Sequence, residues 1–236
     1  MTSLTTDPQS TTPQPTTIIY PSSDGEPVAE TYVHFYALLV TLEVLRQYLA
    51  GRQASVLANQ FLYYAQGFPK LRVTPDVMVI FDVAPGGRDS YKIWEEGQVP
   101  SVIFELTSEG TCDQDKIFKR TLYEQLGVQE YWLFDPKGEW IEGQLQGYRL
   151  GGDLYELITD GRSQPLQLRL QPEGELLTFY REDTGEKLLA PEELAQALEQ
   201  SQIQIEAERL KAEQERQRAD RLAAQLRALG VDPEAE

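Results

Sequence analysis

Residues 101–136 read SVIFELTSEGTCDQDKIFKRTLYEQLGVQEYWLFDP, and the fold turns on how this stretch is divided. Val102, Ile103, Phe104 and Leu106 form a continuous apolar run, which predicts a strand covered on both faces with Glu105 inside it. DQDKIFKRTLYEQLG follows as a helix, with Phe118, Leu122 and Leu126 on one face and Gly127 as its C-cap. EYWLFDP is then a second strand. An unpaired carboxylate in the first strand would cost several kcal/mol, so Glu105 needs a cation or must titrate upward. A structural ion pair and a wet edge strand remain alternatives.

Upstream, LRVTPDVMVIFDV (71–83) and SVLANQFLYYAQG (55–67) are β-branched or aromatic and bounded by Gly and Pro, so each is predicted as one strand. APGGRDSYKIWEEGQVP (84–100) is a long loop with room for a helical turn. From Val28 to Ala50, Val33, Tyr36, Ala37, Val40, Val44 and Leu45 recur at helical spacing before Gly51. The core is thus α/β, in the order helix, three strands, helix, strand.

Four alternating segments after Pro136, EWIEGQL, YRLGGDLYELI, PLQLRLQ and LLTFYRE, are predicted to extend the sheet as antiparallel strands. Residues 1–27, rich in Thr, Ser and Pro, are expected to form a disordered arm. The folded domain spans 28–190, and 191–236 form a long charged helix. In that helix Leu198, Ile205, Ala212, Ala219 and Leu226 recur by sevens, which allows a coiled coil and a homo-oligomer. The companion seam holds Ser201, Glu208 and Glu215, so a solvated helix ending at Gly230 is equally open.

A single cysteine, Cys112, excludes an internal disulfide, and a single histidine, His34, excludes multi-histidine zinc sites. With no apolar run of membrane-spanning length, the chain is expected to be soluble and cytoplasmic, without a membrane partner. The net charge is −17, with 17 acids against 9 bases up to Asp135 and 21 against 12 beyond it. Neither half offers the basic surface of a general nucleic-acid coat. Arg72, Arg88, Lys92, Lys116 and Arg120 could form a local phosphate-facing patch or plain surface.

Asp76 follows Pro75 at the mouth of its strand, where turn chemistry is one reading. If that strand neighbours Glu105's, the two carboxylates can converge on one divalent ion of the kind oxygen ligands suit. Lys119 is a candidate for the cation that phosphodiester hydrolysis needs. Asp115, Lys119 and Tyr123 are spaced i, i+4, i+8 on one helix face. An ordinary i,i+4 ion pair, or Lys116 as the donor, is the competing reading.

TPDVMVI (74–80) together with IFELTSEGTCDQDKIFKRTLYEQLGVQEYWLFDP (103–136) resembles the Uma-type restriction endonuclease family, within the PD-(D/E)XK nuclease superfamily. The later segments LQGYRL, DTGEKLL and RLAAQLRALGVDPE are also similar, so the resemblance runs from about Ala29 to the C-terminus. It implies a restriction-endonuclease-like fold with added antiparallel strands, and Mg2+-dependent (or Mn2+-dependent) cleavage of DNA.

By position, the resemblance implies that Asp76, Glu105 and the Leu106 carbonyl bind metal, that Lys119 orients water or stabilises charge, and that Asp115 positions Lys119. The superfamily's usual lysine site, two residues beyond the glutamate, is Thr107 here. Ser108 and Thr111 fall on family positions that cap the turn into the helix. This chain departs from the family in Cys112, Asp113, Gln114 and the turn SEGT (108–111). Those departures, with the acidity, leave open a catalytically weak or inactive binding module that assembles through its C-terminal helix. A metal hydrolase acting on a small phosphoester is a third possibility. Glu43, on the first helix, could also reach the site or simply be solvated.

Overall fold

β6 (Val102–Leu106) is buried at every residue, as a strand covered on both faces must be. Its neighbours β4 (Val77–Phe81) and β7 (Glu130–Phe134) are nearly as enclosed. In the computed structural model, which describes residues 18–25, 31–107 and 114–229, β4 runs antiparallel to β6 with Val77 opposite Phe104. β7 runs parallel to β6 with Phe104 opposite Trp132. A parallel pair needs a crossover, supplied by a π-helical turn, Gln114–Lys119, leading into the helix α3 (Arg120–Leu126).

β1 (Ala54–Ala58) extends the sheet beyond β4, and the hairpin β8 (Leu145–Gly151) and β9 (Leu154–Ile158) extends it beyond β7. Six strands thus lie in the order β1-β4-β6-β7-β8-β9.

Side chains alternate across a strand, so the sheet builds two cores. On one face Met78, Ile80, Ile103, Tyr131 and Leu133 pack with Tyr123 of the crossover helix. Leu62, Val73 and Tyr91 join the same cluster, from a small sheet of β2 (Leu62–Tyr63), β3 (Arg72–Val73) and β5 (Tyr91–Lys92). On the opposite face Phe104 meets Phe179 edge-on at 6.0 Å between ring centres. Phe179 belongs to a second three-stranded sheet, β10 (Arg162–Ser163), β11 (Leu168–Glu173) and β12 (Leu176–Arg181). The helix α1 (Tyr32–Tyr48) packs against β1, β4, β6 and β12. Thr31 caps it, its hydroxyl accepting the His34 N–H at 3.3 Å.

Several expectations need correction. Each predicted upstream strand is two strands in different sheets: 55–67 breaks at Asn59, whose φ of 52° is left-handed, and 71–83 breaks at Pro75–Asp76 between β3 and β4. Asn tolerates that conformation better than most residues. The loop 84–100 contains β5 and the short helix α2 (Ile93–Glu96). Of the four antiparallel segments, only β8 and β9 extend the main sheet. EWIEGQL is a turn drawn around the buried Asp135, whose carboxylate accepts backbone N–H groups from Lys137, Gly138, Trp140 and Ile141. The remaining two segments pair as β11 and β12, and join β10 rather than the main sheet.

Within the stretch expected to be an arm, Tyr20 is packed. Its ring lies 5.2 Å from those of Tyr63 and Trp94, and its hydroxyl accepts the Gly67 N–H at 2.6 Å. The chain divides into two compact units, Met1–Glu186 and Lys187–Glu236. The second is built on one helix, α4 (Pro191–Ala228), with no buried residue; Gly230 lies outside the described residues. Among the described residues no helix is long and apolar enough to cross a membrane.

Candidate active site

Asp76 and Glu105 are brought together by strand register. Val77 faces Phe104 across the antiparallel β4–β6 pair, so one step outward sets Asp76 opposite Glu105. Directly opposed residues point to the same face. The Leu106 N–H donates to Asp76 Oδ2 at 2.6 Å, fixing the aspartate against the end of β6. Asn59 ties down the other side, its N–H lying 3.2 Å from both the Pro75 and Asp76 carbonyl oxygens. The left-handed bend that ends β1 therefore also locates the aspartate.

Glu105 is 1% exposed, a burial that an ionised carboxylate tolerates only with partners. It has two. Lys119 Nζ lies 2.8 Å from Oε2, and the Tyr123 hydroxyl donates to Oε1 at 2.8 Å. The hydroxyl is held as a donor: burial, and then the negative charge of Glu105, push its pKa well above the tyrosine range, with Asp76 adding to the effect. Both carboxylates thus act on one phenol.

The helix differs from its predicted pattern. Its first turn is π-helical up to Lys119, so Asp115 and Lys119 are not one α-helical turn apart. Tyr123 is the fully buried side chain, whereas Phe118 is 53% exposed and Leu122 and Leu126 are half-buried. A π turn takes more residues per turn than an α-helix and commonly marks functional sites. The side chains of Asp115 and Lys116, and all of Ser108, Thr111 and Cys112, lie outside the described residues.

Two residues near the site had no role assigned from sequence. His34 Nε2 stands 3.9 Å from Asp76 Oδ2, and both side chains are largely covered. Only the strand end to which α1 returns reveals this; sequence marked His34 merely as the lone imidazole. The sequence pattern places Tyr123 only on a helix face, although a tyrosine beside an apolar stripe is a signal for a hydroxyl with a buried partner. Thr107, at the superfamily's usual lysine position, carries a buried hydroxyl with no hydrogen-bond partner among the described residues.

Four of the five basic residues considered for a phosphate patch, all but Lys116, are otherwise occupied. Arg88 forms a fork with Glu96 at 2.7 and 2.8 Å and also donates to Ser55 and to the Ala84 and Gly86 carbonyls. Arg72 stacks on Phe61, Arg120 on Tyr148, and Lys92 pairs with Glu95 beside the Tyr20 ring. Glu43 pairs with Arg46 at 3.3 Å in an exposed contact.

As a donor set, Asp76 and Glu105 fit a hard divalent cation that prefers oxygen. Among the described residues no group of three or more His, Cys, Asp and Glu could hold a metal. Mg2+ commonly uses one or two carboxylates and completes its shell with water and phosphate.

One solved structure similar to this chain is described as a "putative nuclease belonging to DUF820" from Anabaena variabilis ATCC 29413; it is 17% identical, with a TM-score of 0.41 over 64% of this chain and 79% of that one. No curated protein matches. Residues 11–178, more than half of the chain and including Asp76, Glu105 and Lys119, match the family described as "Uma2: Putative restriction endonuclease". The chain belongs to the Uma2 family.

Proposed function

We propose that the protein is a Mg2+-dependent endonuclease that hydrolyses DNA phosphodiester bonds at the β4–β6 strand ends, on the restriction-endonuclease-like core the family implies. The observation that carries this reading is the meeting of Asp76, Glu105 and Lys119 on one sheet face in a chain of a nuclease family.

Asp76 and Glu105, with the Leu106 carbonyl, would hold Mg2+ or Mn2+. Such an ion supplies a Lewis acid for the phosphoryl oxygens and lowers the pKa of a coordinated water. Lys119 places a positive charge beside the carboxylates, where it orients water and offsets charge developing on phosphate. Tyr123 fixes one oxygen of Glu105 so that the carboxylate does not rotate away from Asp76. The Leu106 N–H does the same for Asp76. Asp115, by its place before Lys119, would help position that lysine.

Incubation of supercoiled plasmid with protein and Mg2+ or Mn2+ tests this, with Asp76→Ala and Lys119→Ala alongside. Metal-dependent nicking absent from both variants is the expected result; nicking that survives in either, or none in wild type, overturns it. A second reading, a nuclease-fold binding module without activity, draws on the saturation of Glu105 by Lys119 and Tyr123. It predicts no nicking and no difference in divalent-cation binding between wild type and Asp76→Ala.

A further inference from the structure

Charge is segregated along α4 over a much longer distance than the helix itself requires. Residues 191–208 contain Glu192, Glu193, Glu199, Glu206 and Glu208 and no base, whereas 209–228 contain Arg209, Lys211, Arg216, Arg218, Arg221 and Arg227 against three acids. The helix dipole favours acids at the start and bases at the end, but only within the first and last turns. Glu206 and Glu208 are several turns inside.

Leucines of one seam stand at both ends of the helix, with Ile205 between them. Leu194 and Leu198 lie near the start and Leu222 and Leu226 near the finish, all at least 40% exposed. They occupy one heptad seam, Leu194, Leu198, Ser201, Ile205, Glu208, Ala212, Glu215, Ala219, Leu222, Leu226, whose middle is polar. Isolated, a 38-residue helix with no buried side chain leaves this seam in water.

We infer that α4 pairs with the α4 of a second copy of this chain in antiparallel orientation. A parallel, in-register pair would set Glu208 against Glu208 and Glu215 against Glu215 in the seam, and acidic half against acidic half. Like charges so placed are destabilising. The antiparallel pair sets Leu198 over Leu222, Ser201 over Ala219 and Glu208 over Ala212, and lays each acidic half along a basic one. The polar middle then limits the pairing to a moderate affinity and fixes its register. This inference does not depend on the nuclease reading.

Sedimentation velocity of the full-length protein gives the oligomeric state, and cysteine cross-linking gives the orientation. In a Cys112→Ser background, Ser201→Cys chains are mixed with Ala219→Cys chains and oxidised. The antiparallel pair predicts a cross-linked dimer in the mixture at about tenfold or more over either variant alone. It further predicts that the dimer dissociates in Leu198→Glu, and that its Kd rises about tenfold between about 0.05 and 0.5 M salt. Self-cross-linking of either variant equal to that of the mixture, a monomer at all concentrations, or a dimer unaffected by Leu198→Glu overturns the proposal.

Discussion

Lys119 and Tyr123 divide Glu105 between them, the ammonium taking Oε2 and the phenol Oε1, each at 2.8 Å. The glutamate is almost fully buried and the lysine nearly so, at 1% and 13% side-chain exposure. The pair is therefore coupled, and removing one member leaves the other charged in a poorly solvated place.

Lys119→Met is expected to destabilise the fold by about 3–5 kcal/mol, the usual cost of orphaning a buried charge. Glu105→Gln/Lys119→Met should recover most of that loss, since no uncompensated charge remains. Urea unfolding of the two single variants and the double variant checks this as a cycle; additive losses would show that the pair is not coupled.

Asp76→Asn separates holding the fold from holding a cation. An amide oxygen still accepts the Leu106 N–H, so the midpoint of thermal unfolding should move little. Affinity for Mn2+, followed by its paramagnetic signal, should fall at least about tenfold. Unchanged Mn2+ affinity would remove Asp76 from the metal site.

Tyr91 is fully buried, and its hydroxyl donates to the Gln98 carbonyl at 2.8 Å. Burial, then the nearby Glu96, push its pKa up to about 12 from the usual 10. A raised folded-state pKa means that the stabilisation is complete below pH 10 and is lost as pH rises through 12. Alkaline difference absorbance of wild type minus Tyr91→Phe should show one phenol titrating near 12, and the variant should lose less stability across that window. Titration of that phenol near 10 would contradict the environment described.

Gly147 faces Trp132 across β7–β8, and a Cβ built there would lie 2.3 Å from the indole ring. Trp132 cannot easily yield, because it is buried and its N–H donates to Glu130 at 3.1 Å. Gly147→Ala is expected to cost about 1–3 kcal/mol by overpacking, measured by chemical denaturation. The smaller Trp132→Leu side chain in the same molecule should relieve that clash, so the two losses should not add.

Where the sequence pattern was continuous, it was legible. The apolar run around Glu105 gave β6, and the strand–helix–strand division of 101–136 placed β6, the crossover helix and β7. Periodicity could not show where a strand changes sheets, because the left-handed backbone at Asn59 and the break at Pro75–Asp76 are short interruptions in segments that are otherwise strand-like. It also gave no sign that the helix begins with a π turn. Glu105 and Lys119 could be connected by chemistry alone, since a buried acid demands a base. His34 could not, because its approach to Asp76 depends on how α1 is laid against the sheet. Nor did composition reveal Tyr20, whose two aromatic contacts come from residues more than forty positions away.

A lysine on the same strand as the glutamate would be in place as soon as that strand formed. Lys119 instead arrives on the crossover element, fourteen positions after Glu105, and is set by the burial of Tyr123 one turn later. The site is therefore complete only while this short helix is docked. Local opening of the helix would separate the charges without melting the sheet, so the lifetime of the proposed site is governed by the weakest element touching it rather than by global stability. Hydrogen exchange at the Tyr123 amide reports that lifetime directly.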